Sequence, residues 1–333
     1  MLKKSALLQL KGKKNLLAFS AGVDSSALFF ILLQNNIAFD IVIVDYGVRA
    51  QSKEEVAYTR ELASKYNLTC HLLNAETIQT NFESRAREIR YNFFEELIQK
   101  HSYDNLLTAH HLGDRFEWML MQFCKGAGCA EIAGMNEIQT RENYTLVRPL
   151  LHLDKQELLD FLHKNSLHYF EDESNRDENI KRNEFRHKHT NPLLKKYLSG
   201  IKKSFEYLDE DVASLLQEIN IIRVDDFAYF SSSHKKRADI FTIDKYLKSQ
   251  NYMLSASERE LLKSERTTTV GRKFIVNQTD SFIFIVPCSK EKPTLDKVFK
   301  EECRRLKIEP KLRLFLIQNP KIFELVKQLL SSV

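Results

Sequence analysis

Four segments carry residues whose types and spacing suit chemistry. The first is Ser20-Ala21-Gly22-Val23-Asp24-Ser25, between an apolar run and a helix-like stretch. Small residues let a backbone turn sharply and approach a ligand. The amides from Gly22 to Ser25 would then face outward at a helix start, a setting that attracts phosphate, with the Ser20 and Ser25 hydroxyls as further donors. No Walker-type Gly-Lys-Ser/Thr is present, which excludes a P-loop NTPase. The plain structural alternative is a helix cap made by Asp24 or Ser25.

The second segment is Ala86–Tyr91, where Arg87 and Arg90 stand three apart on one helix face. Two guanidinium groups there suit a phosphate or nucleotide, or an exposed face paired with Glu83, Glu88 or Glu95. The third is Thr108–Glu117, with adjacent His110 and His111 followed by Asp114 and Glu117. Asp114 offers the oxygen that Mg²⁺ prefers, although tandem histidines more often cap or pack than catalyse. The fourth is the polar run Glu171–Asp177 ahead of Arg182-Asn183-Glu184-Phe185-Arg186, which also reads as a solvated loop with a helix cap.

These segments need elements to position them. Asn15–Ser20, Phe39–Asp45, Leu68–Leu73 and Asn105–Thr108 read as strands, with Thr145–Arg148 as a further extended piece. Helices are expected over Ser25–Asn35, Ser52–Tyr66, Asn81–His101, Leu112–Cys124 and Asp154–Asn165, the last capped by Asp154. β-Branched runs alternating with helices indicate an α/β fold, a parallel sheet with helices on both faces. Ligands bind such sheets beyond the carboxyl ends of the strands. Gly22, Gly47 and Gly113 each follow an expected strand there. From Asn191-Pro192 the pattern changes to a long helical stretch, Leu193–Ile219, then strand-like pieces at Lys273–Val276 and Phe282–Val286. A domain boundary is expected near 195–205, giving domains 1–195 and 196–333.

Composition narrows the class. The five cysteines are odd in number and contain no CxxC pair, which argues against a disulfide framework and against zinc or iron–sulfur. No uncharged apolar run is long enough to span a bilayer, and Gln9 and Lys11 interrupt the only short apolar stretch near the start, so a cytoplasmic protein with no membrane partner is expected. The net charge of +5 is uneven: from Asn191 onward 26 basic face 19 acidic residues, while the first 190 residues hold 24 and 26. A basic second part suits a polyanion such as nucleic acid.

In order and spacing, the segments together resemble the tRNA(Ile)-lysidine synthetases. Ser20–Ser25 resembles the SGGxDS loop of N-type ATP pyrophosphatases, with Ala21 where Gly is usual. In a left-handed conformation that alanine would be strained by roughly 1 kcal/mol; at negative φ it would be harmless. Ala86–Tyr91 matches ARxxRY, and the His110 segment matches an AHHxDDQxET-like element followed by Lys125-Gly126-Ala127-Gly128 and Gly134-Met135. Arg148-Pro149-Leu150-Leu151 and Glu171–Arg186 match RPLL and EDxSN…RNxxR, so the resemblance covers roughly 15–195. Departures are Gly113 for the first Asp, Arg115 for Gln, Trp118 for Thr, and Ile43–Arg49, which resembles HVDHGLR with both histidines lost.

The resemblance implies a PP-loop fold with a smaller, mainly helical α+β C-terminal domain that binds tRNA. It implies ATP and Mg²⁺ as cofactors, and tRNA(Ile) with a CAU anticodon and free L-lysine as partners. Ser20, Ala21, Gly22, Val23, Asp24, Ser25 and Asp45 would hold the nucleotide, and Asp24 and Asp114 the Mg²⁺. Arg87 and Arg90 would offset charge on the departing pyrophosphate. His110 or His111 would take a proton from lysine, and Asp45 or Glu117 would orient its ammonium. The Lys181–Lys196 connector and the basic C-terminal part would contact tRNA phosphates. Three rivals remain: a tRNA thiolase using Cys124 and Cys129, a glutamine-dependent amidotransferase, and a non-catalytic nucleotide-sensing RNA-binding module favoured by Ala21 and Gly113. A homodimer is left open.

Overall fold

The computed structural model describes residues 1–47, 51–76, 78, 80–171, 181–215, 219–289 and 293–331. The chain divides into two compact units, Met1–Glu210 and Asp211–Val333.

In chain order the first unit contains α1 (Lys4–Leu10), β1 (Asn15–Ala18), α2 (Val23–Gln34), β2 (Asp40–Asp45), α3 (Ser52–Tyr66), β3 (Cys70–Asn74), α4 (Phe82–His101), β4 (Asn105–Leu107) and α5 (Leu112–Phe123). It continues with α6 (Cys129–Ala133), β5 (Ile138–Thr140), β6 (Thr145–Val147), α7 (Lys155–Lys164), α8 (Lys181–Phe185), a π-helical turn at Arg186–Thr190 and α9 (Asn191–Leu215). The six strands lie in the order β3-β2-β1-β4-β6-β5, all parallel except β5, which pairs antiparallel with β6.

Adjacent residues on each inner strand feed opposite faces. Leu17, Ile41, Leu107 and Val147 pack with α2 and α7 through Phe29, Leu158 and Leu162. Leu16, Val42, Leu106 and Leu146 pack with α4 through Phe94, Leu97 and Ile98. Both faces are therefore dry, which is why these strands read as unbroken apolar runs. At the amino ends of β1 and β4, the paired residues Asn15 and Asn105 share a buried side-chain hydrogen bond of 2.8 Å. Asn15 also donates to the Leu10 and Ala38 carbonyls, and Gln9 donates to Asn105. This polar knot fixes the register that aligns the opposite, carboxyl ends of β1 and β4.

The division between units falls after Glu210, a few residues beyond the boundary expected near 195–205. The early turns of α9 belong to the first core, where Leu194 and Phe205 are buried against Leu112 and Phe116 of α5. Arg115 reinforces this contact by a bidentate pair with Asp209 and by lying 4.3 Å over the Phe205 ring.

The second unit is built on the antiparallel sheet β7-β8-β11-β10-β9, from β7 (Ile222–Val224), β8 (Phe227–Ser231), β9 (Thr267–Val270), β10 (Phe274–Gln278) and β11 (Phe282–Pro287). One face carries α10 (Lys236–Ser249) and α11 (Ala256–Ser264), and the other α12 (Lys297–Arg305), α13 (Pro310–Gln318) and α14 (Pro320–Ser331). Phe230, Ile283 and Ile285 face the first pair, and Phe227, Phe284 and Val286 the second group. Among the described residues no helix is long and apolar enough to cross a membrane.

Candidate active site

Strand order reverses at β1, which lies between β2 and β4, and the loops leaving β1 and β4 face each other at this switch point. The loop after β1 runs through Phe19–Gly22 into α2. Gly22 is the N-cap of α2, and no side chain caps that helix. The expected alternative, a cap from Asp24 or Ser25, is not what forms. The Ser25 hydroxyl accepts from the Ser20 amide and donates to the Gly22 carbonyl, folding the loop on itself. The helices α5 and α7 instead have reciprocal caps by His111 and Asp154. An uncapped start with its dipole aimed at the switch point suits an anionic ligand.

Ala21 sits at φ 58° and is wholly buried. The left-handed conformation is therefore required, and alanine carries its strain. Its carbonyl accepts from the Phe170 amide at 2.9 Å, and Gly22 forms a parallel bridge with Phe170. Phe170 thus straps the loop, and nothing in its own neighbourhood of sequence announces that role.

Asp24 keeps a buried Oδ1 without a hydrogen-bond partner. Two groups approach it at charge-interaction range: Lys155 Nζ lies 3.9 Å from Oδ1, and His111 Nε2 lies 3.8 Å from Oδ2. Lys155 was not among the expected site residues; it is the first residue of α7, brought in by packing of α7 on α2.

The loop after β4 delivers both histidines. His111 Nδ1 accepts from the Gly113 amide at 3.0 Å, so in its neutral form the ring carries its proton on Nε2, facing Asp24 and Asp114. A Cβ on Gly113 would lie 2.6 Å from His111 Cε1, so the ring takes the space a side chain at 113 would need. His110 pairs through Nδ1 with the Thr108 hydroxyl at 2.9 Å. Burial, aided by Arg148, Arg182 and Arg87 and opposed by Asp114, lowers its pKa to about 4. His110 is accordingly neutral at physiological pH.

Asp114 and Glu117, one turn of α5 apart, are held by two arginines. Asp114 Oδ1 accepts from Arg182 at 3.2 Å and from Arg186 at 3.1 Å, while Oδ2 accepts from the His111 amide. Glu117 is almost fully buried and accepts from the Nε atoms of the same two arginines. Burial alone would push the Asp114 pKa up, but His111, His110, Arg182 and Arg186 hold it well below the usual carboxylate range. Arg186 opens the π-helical turn, an irregularity frequent at functional sites.

Arg87 and Arg90 act on different neighbours. Arg87 lies 4.6 Å over the Tyr91 ring, and its charge is felt by His110 and Arg148. The charge of Arg90 is felt by Tyr46, whose hydroxyl donates to the Ala86 carbonyl. Asp45, at the end of β2, accepts from the Gly47 amide. Arg148 holds the Asn136 carbonyl and Gln139, and its buried Nε is unpartnered. The expected loop at Glu171–Asp177 lies outside the described residues beyond Glu171, as do Val48 and Arg49.

The expected Mg²⁺ ligands thus differ in kind. Asp24 offers a buried, unpartnered oxygen, which fits a hard cation. Both oxygens of Asp114 already accept hydrogen bonds, so as arranged it anchors arginines. Among the described residues no group of three His, Cys, Asp or Glu side chains is placed to hold a metal ion.

A mostly parallel sheet with an uncapped helix start at its switch point defines a PP-loop domain, and residues 2–193 match the PP-loop domain family model. Such a domain uses ATP. The likeness narrows over nearly the whole chain. The tRNA(Ile)-lysidine synthase of Wolinella succinogenes is 42% identical over 306 residues, covering 92% of this chain and 93% of that protein. The Campylobacter jejuni enzyme of the same name is 41% identical over 322 residues, 96% and 97% of the two chains. The Helicobacter pylori enzyme is 40% identical over 311 residues, 93% and 91%. This chain belongs to the tRNA(Ile)-lysidine synthase family of enzymes. A U34-tRNA thiolase from Methanococcus maripaludis shares the fold alone, with a TM-score of 0.53 and 17% identity over 66% of this chain and 78% of that one.

Proposed function

We propose that this chain joins the ε-amine of free L-lysine to C2 of the wobble cytidine in a CAU-anticodon tRNA(Ile), at the expense of ATP. The cytidine C2 oxygen attacks the α-phosphorus of ATP and pyrophosphate leaves. The lysine amine then attacks C2, and AMP departs carrying the former C2 oxygen. The observation that carries this reading is the uncapped start of α2, which carries Asp24 and is met there by His111 from the loop after β4, in a chain about 40% identical to enzymes of that name.

In this reading the amides of Ala21–Ser25 and the Ser20 hydroxyl hold the pyrophosphate portion, and Asp45 lies toward the nucleoside. Asp24 would hold Mg²⁺ through its free oxygen; the ion supplies positive charge against the phosphates. Asp114 joins it only if Arg182 and Arg186 turn from the carboxylate toward phosphate. Arg87 stabilises the departing charge directly, whereas Arg90 acts from the Tyr46 side. His111, with Nδ1 committed to Gly113, serves as a donor. His110 is the group free to accept the lysine proton, but with a pKa of about 4 it is a weak base. Phosphates that offset Arg87, Arg148 and Arg182 would raise its basicity, coupling proton transfer to ATP binding. Glu117, neutralised by its arginines, orients the lysine ammonium once they are released. The basic second unit would add tRNA phosphate contacts, so that binding weakens steeply with salt.

The test is incorporation of radiolabelled lysine into CAU-anticodon tRNA. Incorporation should need ATP and fall about a hundredfold or more in Asp24→Asn. Undiminished pyrophosphate release by that variant, or no incorporation by the parent chain, would reject the scheme.

A further inference from the structure

Trp118 is the only tryptophan in the chain, and it occupies an unusual position. It follows Asp114 by one turn of α5 on the same helix face, about 6 Å further along the axis. Its indole Nε1 donates to the Glu131 carbonyl at 3.3 Å. Behind it Gly134 adopts φ 70°, and a Cβ there would lie 2.7 Å from Trp118 Cδ1. A backbone position open only to glycine thus makes room for the ring. Despite this support, 44% of Trp118 stays exposed. The Nε1–Cδ1 edge of the ring is held while much of its surface stays open to solvent, an arrangement that leaves aromatic area for a partner.

The surroundings favour one kind of occupant. Glu117, the residue before it, holds the guanidinium groups of Arg182 and Arg186, and the exposed Lys125 follows at the end of the helix. An exposed aromatic surface one helical turn from Asp114, the anchor of Arg182 and Arg186, and beside a site proposed to act on an unpaired base suits single-stranded nucleic acid, because every base has a face to stack and every nucleotide a phosphate. We infer that Trp118 is a stacking platform for an unpaired nucleotide of the RNA substrate next to the base that reacts. This rests on the proposed action on tRNA and deepens it by naming a binding residue.

Because Trp118 is the sole tryptophan, its emission under tryptophan-selective excitation reports the platform directly in the unaltered chain. Adding an anticodon stem-loop RNA with a CAU loop should quench that emission, whereas ATP alone should leave it unchanged. With fluorescently labelled RNA, Trp118→Ala should weaken binding about 5- to 150-fold, with the KM for ATP unchanged. Trp118→Phe, which keeps a π-face, should recover most of the affinity. RNA that binds in the anisotropy measurement while tryptophan emission stays constant would overturn the inference and leave the proposed function standing. Failure of the RNA to bind would overturn both. An emission shift that follows protein concentration without RNA would place the ring between two copies of the chain and overturn the platform.

Discussion

The alanine in the loop after β1 yields a prediction that weighs three physical effects of similar size. Ala21→Gly removes left-handed strain of about 1–2 kcal/mol, because glycine adopts φ 58° freely. It also removes a fully buried methyl group from the core that includes Phe19, Val23 and Phe29, a loss of about 0.8 kcal/mol. Finally it frees the unfolded chain, costing about 0.4–1 kcal/mol. The gain and the two losses nearly cancel, so the variant should match the parent within about 1 kcal/mol in urea unfolding, at unchanged m-value. The Phe170 amide still holds the residue-21 carbonyl in the variant, so lysine- and tRNA-dependent pyrophosphate release should also be close to the parent rate. A stabilisation above about 2 kcal/mol would show that the methyl contributes nothing and that the loop is under uncompensated strain. An equal destabilisation, or a tenfold loss of activity, would show that the residue-21 methyl shapes the site itself. Either result refutes the reasoning.

Gly113→Ala should displace the His111 ring, whose Cε1 would lie 2.6 Å from the new carbon, and break the α5 cap; thermal unfolding should report a loss of about 1–2 kcal/mol, with activity falling in parallel. His110, with its pKa lowered to about 4, binds a proton less readily folded than unfolded. Its contribution of about 3 kcal/mol is therefore complete above pH 6.5 and is lost as pH falls toward 4; urea titrations should show that slope in the parent and not in His110→Gln. NMR titration of the same ring should show its pKa rising when a non-hydrolysable ATP analogue binds, and an unchanged value would reject the coupling of ATP to proton transfer. Arg186→Met leaves the buried Glu117 and Asp114 with one arginine between them and should cost about 1–3 kcal/mol in urea unfolding. Asn15→Ala strands the Leu10 and Ala38 carbonyls and the Asn105 amide and should cost about 1–3 kcal/mol by the same measurement.

The parallel sheet was legible because its strands are dry on both faces: Leu16-Leu17 and Ile41-Val42-Ile43 could be read without knowing which face each residue meets. The helix over Ser52–Tyr66 was expected with the bounds it has. Harder to read were elements whose signal is short or shared. The edge strand β5 is three residues long, and α1 is a seven-residue helix whose buried residues are only Ala6 and Leu10. The boundary near 195–205 was placed where composition changes, but the contacts of α9 with the first core continue to Leu208 and Asp209, and composition does not record contacts. In the second unit two of five strands, β10 and β11, were marked; β7 and β9 are only three and four residues long, too short for a clear pattern.

The site was legible to the extent that it is local. Ser20–Ser25 and His110–Asp114 each sit on one turn, so their spacing carried them. Lys155, Phe170 and Arg148 arrive from distant elements, and only packing brings them in. Spacing puts Arg87 and Arg90 on one helix face but does not say which groups each charge reaches, His110 for the first and Tyr46 for the second. The same distinction explains the departures at Ala21 and Gly113. Ala21 is tolerated because a buried methyl offsets the strain of its backbone. Gly113 is needed because the His111 ring fills the space beside it. With no carboxylate at 113, the negative charge on α5 facing the loop falls to Asp114 and Glu117, and both are held by Arg182 and Arg186. Under the proposed function, a lysine ammonium would therefore compete with two guanidinium groups already in place. In the proposed reaction, phosphates held at α2 would be the partners best suited to draw those arginines away, so ATP should be required before lysine binds tightly. Calorimetric binding of lysine to the ATP-free chain with an affinity equal to that of the ATP-bound chain would contradict this order.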